Sequence, residues 1–205
     1  MAFTTVARRA EARETIRGSR FLAQVARADD EAAARSLLDA ARRAHPDASH
    51  HVSAWRVGEI LAAHDDGEPG GTAGRPILEV LLKRDLDHVA AVCVRWFGGT
   101  KLGAGGLVRA YGGTVAKALD AAGTAVVHAA VEGRVTAPYA RADAVHRLLD
   151  DWPDLRKGAP RYDAVGLSLP VTLRADRRER LARALADATA GDAELVVDAG
   201  EMNEP

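Results

Sequence analysis

Two stretches of this chain hold residues whose types and spacing could do chemistry. In the first, Arg95-Trp96-Phe97-Gly98-Gly99 leads through Lys101 to Gly103, Gly105, Gly106 and Arg109. Glycine there either supplies a positive φ or lets something approach the backbone more closely than a Cβ allows. Free N–H groups where a helix starts, at the positive end of its dipole, favour an anion such as a phosphate. From His88 to Leu119 there is no Asp or Glu, whereas Arg95, Lys101, Arg109 and Lys117 are present, so no sequence neighbour neutralises them. Known nucleotide loops do not fit. Gly98 to Gly103 has Walker A spacing, but Ala104 and Gly105 stand where Lys and Ser or Thr belong; Gly103, Gly105 and Val108 lack the third glycine of a dinucleotide fingerprint. The expectation is that Arg95, Lys101, Arg109 and the backbone of Gly98, Gly99, Gly103, Gly105 and Gly106 contact phosphate. Trp96 or Phe97 would stack on a base or pack beneath the turn, and strand alternation puts only one of them on the face of Arg95.

The second stretch is the acidic loop His64 to Pro76, with Asp65, Asp66 and Glu68 followed by Thr72 and Arg75 among four glycines. Its carboxylates could hold a divalent metal, act as general acid and base, or pair with the cations of the glycine turn. Their spacing matches no specific metal motif, and paired carboxylates are common in Asx turns. Ion pairing to Arg95 or Arg109 is the preferred version. No metal site, cofactor or catalytic residue is assigned. His50 and His51 are adjacent, point to opposite faces of a strand and do not easily share a metal.

The elements that must position these residues are legible from periodicity. Val89 to Val94 is a continuous apolar run, suited to a strand covered on both faces. Leu107, Tyr111, Val115 and Leu119 line one side of the helix that follows, and Gly106, Ala110 and Gly113 would let it approach a neighbour closely. Upstream, Glu14 to Ala26 reads as strand interrupted at Gly18 to Arg20, and Asp29-Asp30 offers a cap for a helix through Ala44. His51 to Val57 and Ile60 to Ala63 read as a hairpin, and a helix begins near Pro76. After residue 129 the order is strand, helix, two strands, a helix capped by Asp176 and ended by Gly191, then a strand at Glu194 to Asp198 and a polar tail from Gly200. That βαββαβ order is a ferredoxin-like sandwich. Two domains are expected, 1–129 and 130–205.

Composition narrows the function classes. Residues 1–129 hold 17 Lys and Arg against 15 Asp and Glu, and the remainder 11 against 14, so neither half is a general polyanion binder and any nucleic-acid contact needs a local patch. The single cysteine, Cys93, lies in the apolar strand and reads as core. No signal-peptide core and no run of about 20 apolar residues occurs, so a cytoplasmic protein without membrane contact is expected.

The loop DDGEP…GTAGRP (Asp65 to Pro76), then RWFGG (Arg95 to Gly99) and LGAGGLVRAYGG (Leu102 to Gly113), resembles the signature of the IMPACT family in its bacterial YigZ branch. The match runs from about Ser19 to Leu119, with Gly70 where the family carries Ser. The resemblance implies an α/β N-terminal domain like the second domain of a small-subunit ribosomal protein, also seen in domain IV of the elongation factor EF-G, and an α+β ferredoxin-like C-terminal domain. It further implies an association with translation, since eukaryotic members modulate initiation control by competing for a co-activator of a starvation-responsive kinase.

The resulting expectation is a translation-associated regulatory protein that binds RNA or a ribosome-associated partner through the basic glycine turn. The alternative is a small-molecule enzyme that holds a phosphorylated ligand there, with the acidic loop as base or metal site.

Overall fold

Alternation along Val89–Trp96 decides the layering around the site. A computed structural model describes residues 2–204, and the chain divides into two units, Phe3–Val126 and the part from Val127 onward, which also takes in Ala2. The first unit contains β1 (Phe3–Val6), β2 (Ala10–Ile16), β3 (Ser19–Arg27), α1 (Glu31–Ala44), β4 (His50–Val57), β5 (Ile60–His64), α2 (Gly74–Lys83), β6 (Val89–Trp96) and α3 (Ala104–Ala122). Five strands form a sheet in the order β2-β3-β6-β4-β5, antiparallel at every pairing. On β6, Val89, Ala91 and Cys93 join the core with Ile77 and Leu81 of α2 and Leu107, Tyr111, Val115 and Leu119 of α3. Ala90, Val92 and Val94 join the other core, with Leu37, Leu38 and Ala41 of α1. The two-residue strand period then sends Arg95 to the α2/α3 side and Trp96 to the α1 side.

Local signals explain the boundaries. Asp30 caps α1 by accepting the Ala33 N–H at 2.7 Å, with Glu31 in the first turn and Arg42 and Arg43 in the last, where each complements the helix dipole. The interruption expected at Gly18 to Arg20 is a two-residue hairpin turn one position earlier. Arg17 (φ 47°) and Gly18 (φ 83°) both take positive φ, the combination that suits the twist of a tight hairpin, and Ser19 and Arg20 already belong to β3.

The second unit runs from β7 (Thr124–Ala137), which carries the chain across the division, through α4 (Ala142–Asp150), β8 (Arg156–Lys157), β9 (Arg161–Tyr162), β10 (Leu167–Arg174), α5 (Arg178–Thr189) and β11 (Glu194–Glu204). β11 pairs with β7, β7 with β10, and β10 with both β8 and β9, all antiparallel, which is the ferredoxin-like order. Val145 and Leu149 of α4 and Leu181 and Leu185 of α5 pack with Val135, Leu169 and Leu173 of the sheet. The second strand of the motif is broken in two at Pro170. The Pro170 carbonyl accepts from Gly158 N–H at 2.9 Å, and since a strand residue's N–H and C=O share a side, the missing proline N–H leaves a gap on that same edge.

Two expectations change here. The segment from Gly200 is not a tail, because Glu201 to Glu204 continue β11 against β7 after a register shift. Asp176 does not cap α5: it sits in a 3-10 turn, Ala175–Arg177, and is held by Arg174 through two bonds of 3.0 and 2.6 Å.

Candidate functional site

The glycine turn begins with a backbone contact. A Cβ on Gly98 would lie 1.9 Å from the carbonyl carbon of Gly18, and one on Gly18 would lie 2.9 Å from the Gly98 oxygen. The close approach that requires glycine at 98 is therefore made by the β2–β3 hairpin. Ser19 Oγ accepts the Gly98 N–H at 3.2 Å and fixes the contact. Gly99 and Gly103 supply positive φ, 83° and 72°. Gly113 contributes no packing, since a Cβ there meets nothing within 4 Å; Gly112 is the buried glycine and lies beside Val80 and Pro76 of α2.

Arg95 is not the exposed cation that its sequence neighbourhood suggests. It is 4 % exposed, and it donates to Glu68 Oε1 at 2.6 Å and to Ser19 Oγ at 3.1 Å. Tyr111 donates to the same Glu68 oxygen at 2.6 Å. Burial, then the bond to Glu68, pushes the Tyr111 hydroxyl well above its usual range, so it stays a donor. Glu68 thus neutralises Arg95, and the acidic loop and the glycine turn meet through this pair. Ser19 and Tyr111 are functional supports that sequence reasoning misses, because Ser19 falls in the interruption read at Gly18 to Arg20 and Tyr111 reads as one of the core-facing positions of the helix.

Each remaining acidic-loop residue has a structural task. Asp65 accepts from Gly71, Ala73 and Gly74 N–H at 2.8, 3.0 and 2.8 Å and so starts α2 two residues before Pro76. Burial alone would raise its pKa, but these backbone donors outweigh it and hold the carboxyl below its usual value. Asp66, at φ 46°, accepts from the His51 N–H at 2.7 Å and from Arg42 at 3.1 Å. Thr72 donates to the Pro69 carbonyl at 2.6 Å, and Arg75 pairs with Glu79 on the exposed side of α2. Among the described residues no three His, Cys, Asp or Glu side chains gather as a metal site.

The start of α3 is open. Leu107 is the first residue whose N–H is bonded, to Gly103 O at 2.9 Å, and Gly103 supplies no side-chain cap. Among the described residues the N–H groups of Ala104, Gly105 and Gly106 therefore take no protein partner, and the first turn holds no acid. Beside them is a cavity of about 410 Å³ walled by His50, Glu68, Arg95, Phe97, Lys101 and Gly103, among others. Phe97 is 49 % exposed and covers Arg95 with one ring face at 5.5 Å. Trp96 is on the other side of the sheet, where Arg20 lies over its ring at 4.9 Å, His45 meets it edge-on and Asp47 accepts its indole N–H at 2.9 Å. Lys101 and Arg109 are exposed and unpaired among the described residues, whereas Lys117 is paired with Glu14. His50 joins the site through register: it stands opposite Arg95 on β4, and its Nδ1 donates to Asp66 O at 2.8 Å. The alternation His50, Val52, Ala54 is the sequence signal that could have placed it there.

An antiparallel sheet that buries an arginine–glutamate pair under a glycine-started helix, followed by a ferredoxin-like unit, defines a two-domain protein of mixed α and β structure. Residues 17–119 match the Impact N-terminal domain, and the chain belongs to the IMPACT family. It is 45 % identical over 122 residues to the family member YvyE of Bacillus subtilis, covering 58 % of this chain and 56 % of that protein. It is 46 % identical over 111 residues to YigZ of Escherichia coli, covering 52 % and 54 %. The chain thus spans about half the length of these curated relatives. The crystal structure of a hypothetical protein, 34 % identical, superposes over 95 % of this chain and 96 % of that one with a TM-score of 0.67. No helix among the described residues is long and apolar enough to cross a membrane.

Proposed function

We propose that this protein regulates translation in the cytoplasm by binding RNA of the translation machinery through the surface at the start of α3. The observation that carries this reading is the set of three unpartnered N–H groups of Ala104, Gly105 and Gly106, flanked by the unpaired cations Lys101 and Arg109 in a stretch without an acid. Membership of the IMPACT family supports the link to translation. Arg95 adds no net charge to this surface, because Glu68 neutralises it in the interior.

The test is co-sedimentation with ribosomal subunits and with free structured RNA across a salt series, beside the Lys101→Ala, Arg109→Ala double variant. Affinity should fall with salt, and the double variant should flatten the log–log slope by about 1.5. Binding to a ribosome-associated protein with no affinity for RNA would overturn the RNA reading, as would salt-insensitive binding unchanged in the variant.

The volume of the cavity, about 410 Å³, favours a second reading in which a small phosphorylated molecule is held at the same turn. The acidic loop gives that reading little catalytic help, since Asp65, Asp66 and Glu68 are each committed to hydrogen bonds within the fold.

A further inference from the structure

We infer that the cavity beside the first turn of α3 is a site for one nucleoside monophosphate unit, either free or at the end of an RNA strand. The inference rests on the reading of the α3 start as a phosphate surface, and three further observations shape the ligand.

First, the wall holds an unused buried donor. Arg95 is 4 % exposed; its Nη atoms are taken by Glu68 and Ser19, but its Nε has no partner among the described residues. Buried donors in folded proteins are almost always satisfied, so this one marks a place where a polar ligand or ordered water completes the wall. Lys101 and Ala104 also line the cavity, and the free N–H groups of Gly105 and Gly106 follow Ala104 in the first turn beside it, so donors suited to an anion gather on this side.

Second, Phe97, the only large aromatic on the wall among the described residues, is presented for stacking. Phe97 has Arg95 behind one ring face and is half exposed, so a base can lie on the other face, where base–aromatic stacking is tolerant of sequence. Trp96 cannot serve, because it is enclosed by Arg20, His45 and Asp47 across the sheet.

Third, His50 has a defined polarity. The Asp66 carbonyl can only accept, so Nδ1 carries the proton, and in the neutral ring Nε2 is an acceptor, 3.8 Å from Glu68. An acceptor there, beside the Glu68 carboxylate, suits a hydroxyl of the sugar, which can donate to it. Phosphate, sugar hydroxyl and planar base together describe a nucleotide, and the cavity has room for one such unit rather than a duplex.

The experiment is an amide NMR titration of the full chain with AMP, adenosine and inorganic phosphate, and with a single-stranded RNA pentamer with and without a terminal phosphate. AMP should saturate and shift the Ala104, Gly105 and Gly106 amides, and adenosine and phosphate should bind at least about 10-fold more weakly. Phe97→Ala, at an exposed position, should weaken AMP by about 5- to 150-fold, the range set by stacking; Lys101→Ala should weaken AMP and phosphate alike. A phosphorylated pentamer that binds at least about 10-fold more tightly than AMP identifies an RNA end as the source, and equal affinities identify the free nucleotide. Unmoved α3 amides, equal affinity for AMP and phosphate, or AMP affinity unchanged in Phe97→Ala would each overturn the inference. Salt-sensitive ribosome association without AMP binding would sink this inference and leave the proposed function standing. AMP binding by a protein that does not associate with ribosomal RNA would do the reverse.

Discussion

Arg95 and Glu68, 27 positions apart, meet at 2.6 Å with both side chains 4 % exposed. Taking two charges out of water costs more than the pair returns unless neighbouring hydrogen bonds complete it. Here Ser19 accepts from the guanidinium and Tyr111 donates to the carboxylate. The pair therefore ties the acidic loop, β3, β6 and α3 into one unit, and half of it is worse than none.

Removing one partner tests that statement. Glu68→Ala should cost about 3–5 kcal/mol in urea unfolding, because it strands a buried guanidinium. Tyr111→Phe, which deletes one hydrogen bond to a charged group, should cost about 1.5–3 kcal/mol. The Glu68→Leu, Arg95→Met double variant should be more stable than Glu68→Ala, and a double variant that is the less stable of the two would refute the charge argument.

Glycine substitutions separate a required glycine from a tolerated one. Gly98→Ala drives a Cβ into the Gly18 backbone and should destabilise by more than about 3 kcal/mol or prevent folding. Gly113→Ala, exposed in the middle of α3 with open space around the new methyl, should stabilise by about 0.5–1 kcal/mol. Thermal unfolding of both variants decides the matter, and equal effects would contradict the backbone-contact account.

Asp65 should give acid sensitivity to α2. Its folded pKa is below the ordinary value of 3.8, so its contribution is present above that pH and is lost as pH falls through the lower folded value. Asp65→Asn should cost about 1–3 kcal/mol at pH 7, because an amide cannot accept on both sides and leaves one set of these N–H donors without an acceptor. The gap between wild type and Asp65→Asn should then narrow as unfolding is measured at successive steps below pH 3.8; a gap that stays constant would mean that the charge of Asp65 is not what holds α2.

Cys93 should be chemically silent in the folded protein. It is fully buried on β6, and burial, reinforced by the negative charge of Glu68, pushes its thiol far above the usual range. A thiol-reactive dye should label it only as fast as the protein unfolds, and in Glu68→Ala labelling should accelerate in step with lost stability. Rapid labelling of the native protein would show that this part of the sheet opens.

By itself the sequence determined what local pattern can determine. The apolar run of β6 demands cover on both faces, the caps at Asp30 and Gly191 delimit helices, and the strand and helix order after residue 129 specifies a ferredoxin-like sandwich, because periods of 2 and 3.6 are written into neighbouring residues. The acid-free, glycine-led start of α3 is legible for the same reason. Only the tertiary structure decided that Glu68 rather than Asp65 or Asp66 meets Arg95, that Gly18 is what crowds Gly98, that Phe97 and not Trp96 stands on the cavity wall, and that His50 belongs there too. Those partners come from different strands and loops, and pairing across a sheet is set by register and packing of the whole unit; spacing along the chain carries no information about which distant side chain arrives opposite.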